Sequence, residues 1–338
     1  MTPKVKRRAM LGAGVGAVAL AGAGFGVSQA LADDATKAAG TPEDAAKAIK
    51  DSFDKESKAV GGWWTGYISV AGTDGKLVTA VDQDSGKQIE AWSCNKVPVA
   101  AAVLAKVDRG ELTIDQTVDV TKDIVIPDGD GMFELDNAYP SKVTLGHVLA
   151  NLLTVSDDTA VRLCGSVCSG TEINEFLKDK GFTVTQVEPL PDNPNRFYLG
   201  PTTAKESHDL WQMLVTGKLV SAESTERILN ITRAQIAFTD GIRRNYSSAE
   251  RSRVATKAGW LKDSRNEVGI MYDANGAPVV TYSIFGGGQG QDDNFGATHP
   301  AVEARAKMGR QFLDILGKLG GTTKLQAPLP KYHPHNGG

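Results

Sequence analysis

The sequence predicts an α/β protein of the α+β kind: an antiparallel sheet flanked by helices, with an all-helical lobe inserted between strands from the two ends of the chain. Three observations predict it. Two strand-like runs, about Trp64–Ala71 and Lys76–Val81, are joined through Asp74-Gly75, a hairpin signal. A second pair, Glu267–Tyr272 and Val279–Phe285, flanks Asn275-Gly276, the strongest short hairpin signal in the chain. Between them, from Ser93 to about Gly217, the pattern is helical with loops, so the sheet draws on both ends of the chain.

The elements follow in order. Lys4, Lys6, Arg7 and Arg8 precede a Gly/Ala-rich apolar stretch from Met10 to Val27, and Ala30-Leu31-Ala32 is a small-x-small cleavage site, so residues 1–32 read as an export signal. The Arg pair before a weakly hydrophobic core points to the twin-Arg route ahead of the general secretory one. The stretch is short and broken by glycines, which disfavours a membrane anchor, and no cysteine lies near the cleavage site to carry a lipid. Thr41-Pro42-Glu43-Asp44 starts a helix with Thr41 as cap, and Ala45, Ala46, Ile49 and Phe53 form its apolar stripe. Val97–Val107, Leu145–Leu153 and the stretch after Thr203 are the clearest inner helices. A last helix places Val302, Met308, Phe312, Ile315, Leu316 and Leu319 on one face. The reading is one domain over 33–320, with an α/β lobe at about 42–90 and 222–320, a helical lobe at about 91–221, and a flexible tail at 321–338.

Removal of the signal leaves 33 basic against 40 acidic residues, a formal charge of −7, which argues against nucleic acid as partner. The expected product is exported, unanchored and monomeric, and takes a small molecule. Cys164 and Cys168 are four apart, which on a helix puts their Cα atoms about 6 Å apart, within disulfide range. Cys94 reads as a small buried residue. The five histidines show no metal spacing, His333 and His335 lie in the tail, and no metal or cofactor is expected.

Three short motifs carry chemistry. Ser93-Cys94-Asn95-Lys96 places a hydroxyl and an amine three residues apart, on one face of a helix starting at about Ser93. Ser93 then stands at the positive end of the helix dipole, and Lys96 is in position to activate it. Ser52-Phe53-Asp54-Lys55 has the same spacing but reads as a solvated helix face. What distinguishes Ser93 is the apolar run Val97–Leu104 behind it, because a buried lysine beside a serine needs a reason. Ser156-Asp157-Asp158 is the second motif, and taken alone it reads first as a helix cap. Lys257-Ala258-Gly259 is the third, a strand lysine whose plain alternative is a sheet edge.

In order and separation these motifs resemble those of class A β-lactamases and related penicillin-binding proteins, a set written Ser-x-x-Lys, Ser-Asp-Asn and Lys-Thr-Gly. Lys96–Leu112 resembles that family's central helix and its exit, and the likeness extends over roughly residues 42–320. The resemblance implies the β-lactamase/DD-peptidase fold and a serine hydrolase working through an acyl-enzyme. It implies Ser93 as nucleophile, Lys96 as its proton partner, Ser156 as relay to the leaving nitrogen and Lys257 as source of positive potential. It implies an oxyanion hole from the N–H groups of Ser93 and Trp260, with Gly259 beside it. Arg265 matches a carboxylate-binding arginine, and Glu188 in Val187–Asn193 resembles the glutamate that activates water for deacylation, with an ordinary surface acid as the alternative because the segment ahead of it is a few residues short.

Two positions depart from the family. Asp158 stands where Asn is usual; it cannot donate, and its charge would hold Lys96 protonated. Ala258 stands where Thr or Ser is usual, removing one hydrogen bond, worth about 0.5–1.5 kcal/mol. The readings are therefore an exported hydrolase of β-lactams or related amides, a peptidoglycan DD-peptidase or other amide or ester hydrolase on the same fold, and lastly a non-catalytic binding domain.

Overall fold

The computed structural model describes residues 40–319 except 73, 235 and 237–240. The export signal, the tail and its two histidines lie outside the described residues. Five antiparallel strands form the main sheet in the order β2 (Leu77–Gln83), β1 (Trp63–Ala71), β11 (Pro278–Gly287), β10 (Ser264–Tyr272) and β9 (Val254–Leu261). The first and last strands of the chain thus meet at the centre, where Ile68 opposes Tyr282. The late hairpin turns where expected. Gly276 adopts φ 86°, and Asp273 Oδ1 accepts from the backbone of Asn275 and Ala277, both at 2.8 Å.

Alternation of side chains gives the sheet two apolar faces. Helices α1 (Pro42–Val60) and α9 (Pro300–Leu316) cover one, burying Ile49, Phe53, Met308 and Phe312 against Ile68, Val280 and Ile284. Thr41 caps α1 through Asp44 N, as the sequence predicts. The helical part covers the other face. Its centre is α2 (Lys96–Asp108), whose residues from Lys96 to Ala105 are all buried. A helix apolar on every side belongs in the middle of a protein. Around it stand α3 (Leu145–Thr154), α4 (Asp158–Gly165), α5 (Gly170–Asp179), α6 (Ala204–Val215) and α7 (Ala222–Arg233), with the short α8 (Ser248–Arg251) before β9.

Polar interactions lock these layers. The buried Glu267 of β10 pairs with Arg305 of α9 at 3.2 Å and accepts from Gly241 N and Ile242 N. On the other face, His208 of α6 meets Ser69 Oγ of β1 at 2.7 Å.

Two expectations change. The α-helix begins at Lys96, and Ser93 lies in the 3₁₀ turn Trp92–Asn95 ahead of it. The inner block also holds short ribbons: β3 (Ile89–Glu90) with β8 (Pro201–Thr202), β4 (Thr117–Val120) with β5 (Ser141–Thr144), and β6 (Glu188–Leu190) with β7 (Asn193–Tyr198). Pro191-Asp192 supplies the last of these with its turn. Cys94, Cys164 and Cys168 are all free and buried, so the two-cysteine bridge is not formed.

His299 caps α9 by accepting from Ala301 N through Nδ1 at 3.1 Å, which requires a neutral ring. Burial, then the charges of Arg265 and Arg305, pull its pKa down to about 4. The unfolded chain takes a proton near pH 6.5 and the folded one does not, so stability is full above 6.5 and falls as pH drops toward 4. His299→Asn keeps a cap without titrating. Denaturant melts of parent and variant at pH 7 and pH 4.5 should show a stability loss in the parent that shrinks markedly in the variant; equal losses would dismiss this account.

Candidate active site

Backbone strain marks the site. Trp92, immediately before Ser93, has φ 51°, and Ser156 has φ 60°, both in the left-handed region that costs a side-chain-bearing residue free energy. The turn carrying Ser93 packs on edge strand β9. There Gly259 approaches so closely that a Cβ on it would lie 2.8 Å from Ser93 N, Cys94 N and Ala91 O. Cys94 Sγ faces Lys257 O at 3.5 Å, and burial pushes its thiol up to about 12, so it is inert packing.

Asp157 shapes the loop that carries Ser156. Its Oδ1 accepts from Ala160 N at 2.8 Å, capping α4, so the plain cap reading of this motif is also correct. Its Oδ2 accepts from Met132 N at 2.6 Å and Phe133 N at 3.0 Å, anchoring the 128–139 loop. Gly131 has φ 119° and touches this carboxylate; a Cβ there would stand 2.2 Å from Oδ2.

The three motifs converge on one hydroxyl. Ser156 Oγ lies 3.1 Å from Lys96 Nζ and 3.0 Å from Lys257 Nζ. Both lysines are fully buried, although Lys257 sits on an edge strand. Lys96 Nζ also donates to Ser156 O at 2.5 Å and to Asp158 Oδ1 at 2.7 Å. Lys257 Nζ donates to Ala258 O at 2.6 Å. Burial, and then the charge of Lys96, pull Lys257 down to about 7, so near neutrality it is half deprotonated. Asp158 is held in turn by Asp130 N at 3.1 Å on Oδ2. Burial and the Asp158 charge push the carboxyl of Asp130 up.

The structure brings Ser156, Lys96, Lys257 and Asp158 into one hydrogen-bonded group, with Gly259 against the Ser93 turn and Trp260 next along β9. It modifies four expectations. The three donor positions of an ammonium are all taken at Lys96, and among the described residues no hydrogen bond joins it to Ser93; the Asp158 carboxylate is the cause. Arg265 is buried, and its four terminal N–H positions go to the carbonyls of Lys262, Ser264, Asp292 and Asn294, with Phe295 stacked at 5.2 Å. It can receive a carboxylate only by breaking these bonds. Glu188 is exposed on β6 opposite Tyr198, and the charge it acts on is that of Glu90, raised by its own burial and then by Glu188. No hydrogen bond among the described residues links it to the lysines. Ser52 is buried while Lys55 is exposed, so that Ser-x-x-Lys pair does not share the expected solvated face.

Sequence reading missed three contributors. Asn95 sends its side-chain amide to the carbonyls of Leu199 at 2.7 Å and Pro201 at 3.1 Å, with Gln186 and Gly200 slightly farther. Asn266, opposite Gly259, donates to Glu90 O at 3.0 Å. Asp130 joins the charge cluster. Strand alternation from Lys257 around the hairpin would have found Asn266; nothing local marks the other two.

Comparison with known proteins identifies the family and the fold. A family model described as the β-lactamase enzyme family matches residues 44–316. A β-lactamase structure from Chitinophaga pinensis superposes with TM-score 0.67 at 18% identity, covering 79% of this chain and 98% of that one. One from Xanthomonas campestris pv. campestris gives 0.67 at 18%, covering 82% and 100%. One from Sphaerobacter thermophilus gives 0.63 at 21%, covering 80% and 96%. No curated protein matches by sequence.

The approach of Gly259 to the Ser93 turn is testable. Gly259→Ala must displace that turn by up to about 1 Å, a shift able to cost about a hundredfold in rate. Labelling of Ser93 by a serine-reactive fluorophosphonate should slow by that order in a variant whose melting remains cooperative. A rate within twofold of the parent would show that the contact is not needed.

Proposed function

Because the chain belongs to the β-lactamase enzyme family, we propose that it is a class A-type serine hydrolase in which Ser93 opens a β-lactam or related amide through an acyl-enzyme. The observation that carries this is the Ser156 hydroxyl held at 3.1 Å and 3.0 Å between the two buried lysines. A hydroxyl in that position moves protons between a nucleophile and a leaving group. The relative described as L2 in complex with relebactam belongs to the same fold and supports a small-molecule substrate.

In this reading Ser93 Oγ attacks the carbonyl carbon, stabilised by the N–H groups of Ser93 and Trp260. The Ser93 proton passes by way of Ser156 to the amine of Lys257. The carbon–nitrogen bond then breaks, and the proton returns by the same path to the leaving nitrogen. Lys96, paired with Asp158 at 2.7 Å, supplies positive potential beside the relay. The motif resemblance implies Lys96 as proton partner; the hydrogen bonding supports Lys257, the amine with no carboxylate bonded to it and with its pKa pulled down to about 7.

The exposed position of Glu188 favours a second reading, in which Ser93 is acylated but water attacks slowly, or an amine takes the acyl group as in a DD-peptidase. The export signal belongs to the same proposal, supported by the basic start, apolar stretch and Ala30-Leu31-Ala32. N-terminal sequencing of protein recovered outside the cell should begin at Asp33; a retained Met1 would reject it.

Intact-mass measurement after exposure to a panel of β-lactams tests the chemistry. An adduct on Ser93, absent in Ser93→Ala, is expected. Its disappearance with time supports hydrolysis and its persistence the second reading, whereas no adduct from any compound rejects both. Acylation should rise with pH about a midpoint near 7, since Lys257 accepts a proton only when neutral. Lys257→Arg, permanently charged, should lose about 10²–10⁴ in acylation rate together with that pH step. Retention of the step would move the base elsewhere.

A further inference from the structure

Taking Ser93 as nucleophile, as above, we propose that its cleft accepts uncharged acyl donors with an apolar flank, and discriminates against those bearing a carboxylate beside the scissile bond. A site that holds a substrate carboxylate needs free cationic or hydroxyl donors. Here the cationic donors are engaged or buried, and the hydroxyl usual at position 258 is missing. Lys96 spends its donors on Ser156 and Asp158, and Lys257 donates to Ser156 and Ala258 O. Neither ammonium is exposed. Ala258 has no hydroxyl, and Arg265 gives its four terminal N–H positions to backbone carbonyls while its remaining donor, Nε, is buried.

The charges that remain are acidic. Asp158 is partly exposed, and Asp130 lies near enough for the two carboxylates to influence each other and both lysines. An incoming anion therefore meets two carboxylates that cancel the two ammonium groups, and loses its water shell with no partner to replace it.

The surroundings are apolar. Met132 is 49% exposed on the loop that Asp157 anchors. Ile236 is 70% exposed, and its N–H is bonded to Thr154 O, two residues before Ser156. Leu261 is 45% exposed on the same face of β9 as Lys257 and Gly259. Three large exposed apolar side chains thus stand on β9, which carries Lys257, and on two segments bonded to the Ser156 loop, in the manner of an apolar ligand site.

A penicillin and its methyl ester differ in this one charge. Second-order rates of Ser93 adduct formation, read by intact mass, should favour the ester by at least tenfold. Equal rates, or a faster acid, overturn the discrimination while leaving Ser93 as nucleophile. No adduct from either, with no Ser93-dependent fluorophosphonate labelling, overturns the nucleophile itself and the proposal with it. Asp130→Asn removes one carboxylate whose side chain makes no bond to the protein among the described residues. It should narrow the ester-to-acid ratio severalfold; an unchanged ratio counts against the proposal.

Discussion

Two ammonium groups share one hydroxyl in the interior of this protein, and much of the architecture exists to make that tolerable. Burying a single cation is costly, and burying a second beside it costs more. Lys96 is compensated by a carboxylate, a backbone carbonyl and a hydroxyl. Lys257 has a hydroxyl and a carbonyl, and its pKa gives way instead. The arrangement requires a helix, a loop and a strand to meet at one point. The apolar all-round burial of α2, the cap and loop anchor at Asp157, and the glycine at 259 each serve that meeting.

Asp158 sets the electrical character of the site. Its carboxylate takes one donor of Lys96 at 2.7 Å, while Lys257 has no carboxylate bonded to it. The same charge lies beside Asp130 and pushes that carboxyl up. The proposed base and the proposed preference for uncharged substrates both rest on this carboxylate, which stands where the related motif has an amide.

The fold was legible because both hairpins announce themselves through Asp74-Gly75 and Asn275-Gly276, and because Val97–Leu104 can only be a buried helix. The positions of Ser156, Lys96 and Lys257 were legible through three motifs and their spacing. Less legible was anything depending on where a side chain finds its partners. Arg265 lies on the expected strand, yet the carbonyls at 292 and 294 capture it, and no local pattern encodes a contact across 27 residues or more. Glu188 sits in the expected segment, but a Pro-Asp turn folds that segment into a ribbon and leaves the carboxylate in solvent. Asn95 looked like filler inside Ser-x-x-Lys, since its four acceptors lie about a hundred residues away.

That asparagine has a consequence for traffic into the cleft. Its amide reaches carbonyls on both sides of the β6–β7 ribbon, Gln186 before it and Leu199 after it, so the ribbon and the Ser93 turn are tied together. Swinging that ribbon aside to admit a visitor would drag the serine out of alignment with it. The 128–139 loop is fastened separately, by the Asp157 carboxylate on Met132 N and Phe133 N, and so shares none of that constraint.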